Sequence, residues 1–364
     1  MEQLVSKRDY PGGPVPASTR LEQSARASQA KPTSDSPPST LSYKYSPLPN
    51  GAIRLLRLIP YQDKNDPIQC RIFEYPLHEP SQGTHLYEAL SYVWGSAENL
   101  QPIYIQPDGD SLPTGNNHQL HITTNLRIAL SYLRDPLLER IIWIDAICID
   151  QHNNKEKEQQ VQFMANIYAN ANRVIVWLGE TAGDSDQALG ALRMAAEERR
   201  THSAIDKPNQ HQQAILALLK RPWFRRIWVL QEVAAARHIL IKCGFSEIDG
   251  YAFHLGLTAL RPSYDAFPDL QGLIPPITYL IQGAIFRRGI SQPGRTSLCV
   301  RPLSELVDMY HTREASVRLD KIYALLGMSS NDSTELSANY EASWRKVFRK
   351  FVQSSFSDRM SVDT

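Results

Sequence analysis

The segment Ile141–Gln151, Ile-Ile-Trp-Ile-Asp-Ala-Ile-Cys-Ile-Asp-Gln, constrains the fold of this chain more than any other. Its β-branched and aromatic residues form an apolar run between polar residues, which is typical of a buried strand in a mostly parallel sheet. We therefore predict a strand over Ile141–Ile149 that ends beside Asp150 and Gln151. Because ligands bind outside the carboxyl ends of strands in open α/β sheets, this segment is either a structural polar cluster or the edge of a site.

The polar side chains and the thiol of this run have simple structural explanations. Burying Asp145 within the run is costly unless it is paired, and we expect it to hold the strand end by accepting backbone N–H bonds rather than to catalyse. Asp150 and Gln151 lie nearer to any ligand, and their alternative role is to cap the following loop. We expect Cys148 to be an inert core thiol.

The neighbouring pattern predicts an α/β fold with a mostly parallel sheet flanked by helices. Strands are predicted at Tyr87–Gly95 and at Arg173–Gly179, on either side of the opening strand. Apolar residues at helical spacing predict helices between these strands, at 124–133 and 155–171. This β-α-β-α-β order implies a parallel sheet with right-handed crossovers.

Further elements are predicted on both sides of this unit. Partial alternation at 53–58 and 68–73, separated by a loop rich in Pro, Asp and Asn, predicts an N-terminal β-hairpin extension. Ile239–Gly244 reads as a fourth core strand. Beyond Asp249 the chain is predicted to be largely helical.

The chain divides into three predicted parts. Residues 1–48 are rich in Ser, Pro, Gln and Thr and hold few large apolar residues. Such a segment buries too little surface to offset the entropy lost on ordering, so we predict a disordered tail there. We predict an α/β core over 49–250 and a helical C-terminal extension over 251–364.

Composition excludes several classes of function. The chain has 39 Lys and Arg against 38 Asp and Glu, which gives no electrostatic argument for nucleic acid or an anionic membrane. The four cysteines form no Cys-x-x-Cys pair, which favours a reduced intracellular chain. No signal peptide or membrane segment is predicted, so we expect a cytoplasmic protein. No zinc spacing, Walker loop or Rossmann glycine pattern is present, so no metal or resident cofactor is predicted.

Several long motifs in order resemble the fungal HET (heterokaryon incompatibility) domain. They include Tyr87–Gly95 (YEALSYVWG), Trp143–Gln151 (WIDAICIDQ), Trp228–Val233 (WVLQEV) and Asp320–Gly327 (DKIYALLG). The resemblance implies a role in fungal self/non-self recognition or regulated cell death. It also implies self-association, or a partner incompatibility or signalling protein. One departure is Asp150, where the family often has Asn.

The HET family is considered related to TIR domains, so the resemblance further implies a TIR-like, flavodoxin-like sheet. Many TIR domains cleave NAD with one glutamate on a helix, a few residues after a tryptophan. The spacing from Trp228 to Glu232 is similar, which implies that Glu232 is catalytic and that NAD is the substrate, with no cofactor required. One carboxylate suffices because nicotinamide leaves as a neutral molecule, and negative charge stabilises the oxocarbenium ion left behind. The alternative for Glu232 is a salt bridge with Arg225 or Arg226.

Trp94, Gly95, Asp150 and Gln151 are the residues that we predict to bind NAD. A glycine lets the backbone approach a ligand, and an aromatic ring stacks on a base or on nicotinamide. The alternative for Trp94 and Gly95 is core packing beside a turn, and core packing is also predicted for the aromatic residues Tyr92, Trp223, Phe224 and Trp228. Two alternative functions stay open: a non-catalytic module that signals by assembly, and a degenerate accessory member of the family.

Overall fold

The central feature of the fold is an open, mixed, mostly parallel β-sheet flanked by helices. The structure, a computed structural model, describes residues 41–77, 85–107, 118–200, 211–284, 297–330 and 336–360. Within these residues the strands are β1 Leu41–Ser42, β2 Ala52–Leu58, β3 Gln69–Pro76, β4 Glu88–Ser91, β5 Leu100–Ile105, β6 His118–Thr123, β7 Arg140–Trp143, β8 Val174–Trp177, β9 Ile239–Cys243 and β10 Ser246–Asp249. They form one sheet in the order β1-β6-β5-β3-β2-β7-β4-β8-β9-β10.

Helices cover this sheet and form the C-terminal part. In the described residues they are α1 Thr124–Leu133, α2 Asp145–Cys148, α3 Asn154–Asn170, α4 Ser185–Arg200, α5 Gln212–Leu219, α6 Val229–Ala235, α7 Gly250–Leu260, α8 Pro268–Ala284, α9 Leu303–Tyr310, α10 Asp320–Leu326 and α11 Trp344–Met360. A short 3₁₀ turn, Pro222–Arg225, precedes α6. None of the helices in the described ranges is both long and apolar enough to cross a membrane.

The strands β7, β4, β8 and β9 are parallel neighbours and form the centre of the sheet. Counted along the chain, their order across the sheet is second, first, third, fourth. All four residues of β8, Val-Ile-Val-Trp, are buried, as expected for a strand whose two faces are covered by helices. The prediction of an α/β fold with a parallel sheet is therefore confirmed.

The predicted N-terminal hairpin is also confirmed. Strands β2 and β3 are antiparallel, with Leu55 opposite Phe73. Strand β2 pairs with β7 on its other side, where Leu56 lies opposite Ile142. The hairpin thus extends the central sheet, and the antiparallel pair β5 and β6 extends it further through the pairing of β5 with β3.

The prediction that the opening strand runs to Ile149 is wrong. Strand β7 ends at Trp143, and Asp145–Cys148 form the single helical turn α2. The backbone N–H of Cys148 donates to the carbonyl of Ile144 at 2.7 Å, which closes this turn. Ile147 and Cys148 are buried in the turn as they would be in a strand, so hydrophobicity alone does not separate the two structures. The preceding predicted strand is shorter too, because β4 ends at Ser91.

Residues 41–46 make defined contacts with the rest of the protein, although we predicted a disordered tail up to residue 48. Residues 1–40 of that predicted tail lie outside the described residues. Leu41 pairs with His118 of β6 in a parallel bridge. The hydroxyl of Tyr45 donates to the carbonyl of Ile147 at 2.8 Å, and the carbonyl of Ser46 accepts from Arg54 at 2.6 Å. These contacts fix residues 41–46 against the sheet, although their composition resembles that of the tail.

The C-terminal part is largely helical, as predicted, and it packs directly on the segment before α6. The backbone N–H of Ile227 donates to the carbonyl of Glu314 at 2.9 Å, and that of Glu314 donates to the carbonyl of Arg225 at 2.8 Å. The buried Arg313 donates to the carbonyls of Phe224 and Leu273. The loop between α9 and α10 is therefore held beside α6.

Candidate functional site

A cavity of about 330 Å³ opens beyond the carboxyl ends of β4 and β7. This volume is at the small end of the range for ligand pockets. Apolar side chains such as Val161 and Met164 line part of it. The aromatic and polar side chains of the lining include Trp94, Asp145, Gln151, Lys157, Arg226, Trp228, Glu314, Asp320 and Tyr340. The cavity lies where ligands bind in open α/β sheets.

Trp94 and Gly95 lie on this cavity, where we predicted a binding site. The Trp94 side chain is 36% exposed, and its indole N–H donates to Oδ2 of Asp145 at 2.8 Å. Core packing is therefore the wrong interpretation of Trp94. Gly95 has a φ of +78°, and a Cβ there would lie 3.2 Å from the Cβ of Asn125. The turn that presents Trp94 thus favours glycine for its backbone conformation and for space.

Asp145 is both a structural acceptor and a cavity residue. Its Oδ1 accepts from the backbone N–H of Ala146 at 2.7 Å, which agrees with the expected structural role. Its position at the start of α2, directly after β7, also places it on the cavity lining. Burial raises the pKa of its carboxyl, and the nearby Arg226 opposes this rise. The side chain of Gln151 donates to the carbonyl of Asp145 at 2.8 Å and lines the same cavity.

Asp150 is not among the described residues that line the cavity. Its Oδ1 accepts from the backbone N–H of His152 at 3.1 Å. Its own backbone N–H donates to Oε1 of Glu156 at 2.8 Å. The alternative role, capping the loop after α2, is the one that these contacts describe.

Glu232 is buried beside the cavity, with 2% of its surface exposed. Its Oε2 accepts from the hydroxyl of Ser91, which in turn accepts from the indole N–H of Trp223 at 2.8 Å. Its Oε1 lies 3.9 Å from a guanidinium nitrogen of Arg226, so the ion pair considered from the sequence is present. Burial raises the pKa of Glu232 to about 7, and the charge of Arg226 opposes that rise. Glu232 is not among the described residues that line the cavity.

Arg226 connects the buried carboxyl to the cavity. It lines the cavity, and its side chain is 19% exposed. It also donates to the carbonyl of Tyr92, just beyond the end of β4. Its charge lowers the pKa values of both Asp145 and Glu232. The guanidinium of Arg226 therefore favours the ionised form of both carboxyl groups.

The opposite wall comes from residues that the sequence did not single out as site residues. Oδ1 of Asp320, at the start of α10, accepts from the hydroxyl of Tyr340 at 2.9 Å, and burial raises the pKa of Asp320. The ammonium of Lys157 lies 4.4 Å from the centre of the Tyr340 ring. Trp228, predicted to be core, also lines the cavity. The signal for Asp320 was present, since it heads the motif Asp320–Gly327.

The remaining predictions for this region concern core residues. Tyr92, Trp223 and Phe224 are each 1% exposed, so their assignment to the core is confirmed. Cys148 is buried, and burial raises the pKa of its thiol to about 12, as expected for an unreactive thiol. Within the described ranges, no cluster of three or more His, Cys, Asp or Glu residues is arranged to hold a metal ion.

The family model described as "Heterokaryon incompatibility protein (HET)" matches residues 87–232. This segment runs from the residue before β4 to Glu232, and it supplies Trp94, Asp145 and Arg226 to the cavity. Over these residues the chain is similar to the HET family. The wall formed by Asp320 and Tyr340 lies outside the matched segment.

A curated relative agrees with this match. The chain is 27% identical over 339 residues to Heterokaryon incompatibility protein 6, OR allele, of Neurospora crassa, and the alignment covers 79% of this chain and 48% of that protein. The chain thus spans about half the length of this relative. No solved structure gives a significant match.

Proposed function

We propose that this HET-domain chain acts in fungal heterokaryon incompatibility, as a self/non-self recognition or cell-death protein. The HET match over residues 87–232 and the name of the Neurospora crassa relative support this role. We further propose that it works in the cytoplasm and acts through self-association or through a partner incompatibility protein. Because the chain spans about half of the relative, these statements concern the HET-domain part.

We propose that the cavity binds NAD and that the domain is TIR-like. The order of the four central parallel strands, second, first, third, fourth, supports this, because flavodoxin-like sheets begin with the same order. Trp94 and Trp228 offer aromatic surface at the cavity, and Gly95 permits close backbone approach. Trp94, Gly95 and Gln151 are the binding residues of this proposal; Asp150 contributes by capping the loop that carries Gln151.

The proposed reaction is hydrolysis of the bond between nicotinamide and ribose. Nicotinamide leaves with the electron pair of the broken bond, water adds to the ribose carbon, and its proton passes to solvent. The observation that carries the proposal is the buried carboxyl of Glu232, held by Ser91 and lying 3.9 Å from the cavity-lining Arg226. An ionised Glu232 supplies the negative charge that stabilises the oxocarbenium ion.

Self-association has a defined role in this scheme. Glu232 is 2% exposed, so direct contact with the ligand requires Arg226 to turn aside. We propose that assembly shifts the segment around Arg226, which the loop after α9 holds in place through Glu314. The catalytic arrangement would then belong to the assembled form.

The second candidate function is a non-catalytic module that signals by assembly. The burial of Glu232 favours it, because a carboxyl with this exposure is also suited to a purely structural ion pair. This candidate predicts that Glu232→Gln keeps biological activity whenever the variant still assembles.

The test is NAD turnover by the full chain, both as purified and after fusion to an oligomerising coiled coil. Released nicotinamide and ADP-ribose are measured by chromatography. We expect release from the assembled wild type and none from Glu232→Gln. Asp308→Asn is the matched control, because Asp308 is an exposed carboxylate of α9 outside the described cavity lining, and we expect it to behave as the wild type. Equal release by wild type and Glu232→Gln, or none by the assembled wild type, contradicts the enzymatic proposal.

A further inference from the structure

We infer that Asp145 is the carboxylate that contacts the ligand in the cavity as the structure shows it, whereas Glu232 reaches the ligand only when Arg226 turns aside in the assembled form. The inference rests on the proposed function, since it takes NAD as the ligand, and it adds a residue to which the sequence assigned a structural role. The two carboxyls then have different roles: Asp145 contributes to binding, and Glu232 contributes negative charge to the chemical step.

The placement of the two carboxyls is the first argument. Asp145 directly follows β7 and lines the cavity, and Glu232 is absent from the described lining. Arg226 lines the cavity and also lies 3.9 Å from Glu232. A ligand in the cavity therefore meets Asp145 and Arg226 before it meets Glu232.

The hydrogen bonds of Asp145 are the second argument. One carboxylate oxygen accepts from the indole of Trp94 at 2.8 Å, and the other accepts from the backbone N–H of Ala146 at 2.7 Å. These two bonds, together with the hydroxyl of Tyr92, which also lowers the pKa of Asp145 by hydrogen bonding, fix the orientation of the carboxylate. An ionised carboxylate has about four acceptor sites, so at least one is left for a ligand. Asp145 is thus held in place with unused acceptor capacity at the cavity.

This geometry indicates the ligand group that Asp145 recognises. A fixed carboxylate with an open acceptor site suits a hydroxyl donor, such as the 2′- or 3′-hydroxyl of a ribose. The Trp94 ring, tied to the same carboxylate, lies where a base attached to that ribose would pack. We therefore assign the ribose next to nicotinamide to Asp145.

Arg226 makes the two carboxyls dependent on each other. Its charge lowers the pKa of each of them, and the charge of Asp145 raises the pKa of Glu232. When the ligand covers Asp145 and excludes water, Arg226 remains as the cation beside Glu232. Removing the charge of Asp145 should therefore lower the pKa of Glu232 even without ligand.

The test measures NAD binding to the full chain by calorimetry, in a Glu232→Gln background that prevents turnover. We expect Asp145→Asn to weaken binding about tenfold or more, because hydrogen bonds to charged groups contribute about 1.5–3 kcal/mol and 1.4 kcal/mol corresponds to a factor of ten. Asp308→Asn is the control and should bind within about twofold of its parent, since Asp308 is exposed and outside the described cavity lining. Equal binding by the Asp145→Asn and Asp308→Asn variants overturns the inference.

A second measurement covers the case in which Asp145→Asn does not fold. The binding of nicotinamide riboside and of its 2′,3′-dideoxy analogue is compared by calorimetry on the Glu232→Gln chain, which keeps Asp145. We expect the analogue to bind about tenfold more weakly, by the same hydrogen-bond arithmetic. Equal binding of the two ligands overturns the inference.

The two proposals fail in different ways. If Asp145→Asn weakens NAD binding but the assembled wild type releases no nicotinamide, the enzymatic function fails and the binding role of Asp145 stands. If the wild type cleaves NAD and Asp145→Asn binds it normally, the enzymatic function stands and the inference fails. A wild type that does not bind NAD contradicts both.

Discussion

Two ion pairs in the described part of the chain, each with a buried carboxylate, differ in how completely their hydrogen bonds are satisfied. A guanidinium nitrogen of Arg54 lies 2.5 Å from Oε1 of Glu156, and the two side chains are 2% and 8% exposed. Arg54 also donates to the carbonyls of Ser46 and Cys148, and Glu156 accepts from the backbone N–H of Asp150. By contrast, Arg226 and Glu232 lie 3.9 Å apart beside a cavity.

We propose that the Arg54–Glu156 pair stabilises the fold, whereas the carboxyl of Glu232 is available for chemistry. The Arg54–Glu156 pair ties the N-terminal segment and β2 to the start of α3, and each partner has its hydrogen bonds met within the protein. The looser Arg226–Glu232 pair leaves Glu232 with a pKa near neutrality, raised by burial to about 7. A carboxyl with a raised pKa next to a cavity is a candidate functional group.

The largest expected effect is on the tight pair. Arg54→Met should lower the free energy of unfolding by about 3–5 kcal/mol, because it leaves Glu156 buried without its cation. Arg57→Met, on the same strand, is the control. Its pair with Glu139 is 36% and 45% exposed, and we expect a loss of about 0–1 kcal/mol. Urea unfolding measures both, and equal losses would remove the structural half of the comparison.

Breaking the loose pair should cost less. Arg226→Met removes the cation beside Glu232 and the donor to the carbonyl of Tyr92, for a loss of about 1–3 kcal/mol. The loss is limited because Glu232 already tends to take up a proton, and without Arg226 its pKa rises further. Urea unfolding at neutral pH gives the comparison. A loss equal to that of Arg54→Met shows that the two pairs do not differ as described.

The raised pKa of Glu232 predicts a pH dependence of stability. Folded Glu232 keeps its proton up to about pH 7, whereas its ordinary pKa is 4.5. Between these values the folded state binds more protons than the unfolded state, so stability falls as pH rises, by at most about 1.4 kcal/mol per pH unit. The wild-type curve minus the Glu232→Gln curve should show this fall and level off above about pH 7. A difference that does not change with pH contradicts the assignment.

The smallest predicted effect concerns the hydroxyl that holds Glu232. Ser91→Ala removes the donor to Glu232 and the acceptor for the Trp223 indole, with an expected loss of about 1 kcal/mol. Because that hydrogen bond lowers the pKa of Glu232, its removal should raise the pKa above that of the wild type. Carbon-13 NMR titration of the Glu232 carboxyl checks the direction, and a lowered midpoint would show that the bond does not act on the ionised form.

Hydrophobic pattern predicted the architecture well where long-range contacts follow from local periodicity. The hairpin of β2 and β3 and the helices Thr124–Leu133 and Asn154–Asn170 were foreseen, since alternation and helical spacing each express one buried face. The turn at Asp145 was missed because an apolar run is buried equally well as a strand or as a helical turn. That error also removed Asp145 from the predicted site.

The site could be predicted only in part, because it depends on contacts between distant parts of the chain. The spacing from Trp228 identified Glu232 as a candidate, but the surroundings of Glu232 include Ser91 and Arg226, which that spacing does not predict. The wall of Asp320 and Tyr340 is brought to Lys157 by folding across more than 150 positions of sequence. Local spacing carries no information about contacts between such distant residues. The motifs therefore indicated the resemblance to a family but did not predict which residues line the cavity.

The measurement that tests the account most directly is nicotinamide release from NAD by the assembled full chain, followed from about pH 5 to pH 9. We predict that the wild type releases nicotinamide at a rate that rises through about pH 7, as Glu232 ionises, and that Glu232→Gln releases none. Asp308→Asn, at an exposed carboxylate outside the described cavity lining, should follow the wild-type profile. A wild type without activity, or a Glu232→Gln variant with the wild-type rate and pH profile, contradicts the claim that the loose ion pair is the functional one.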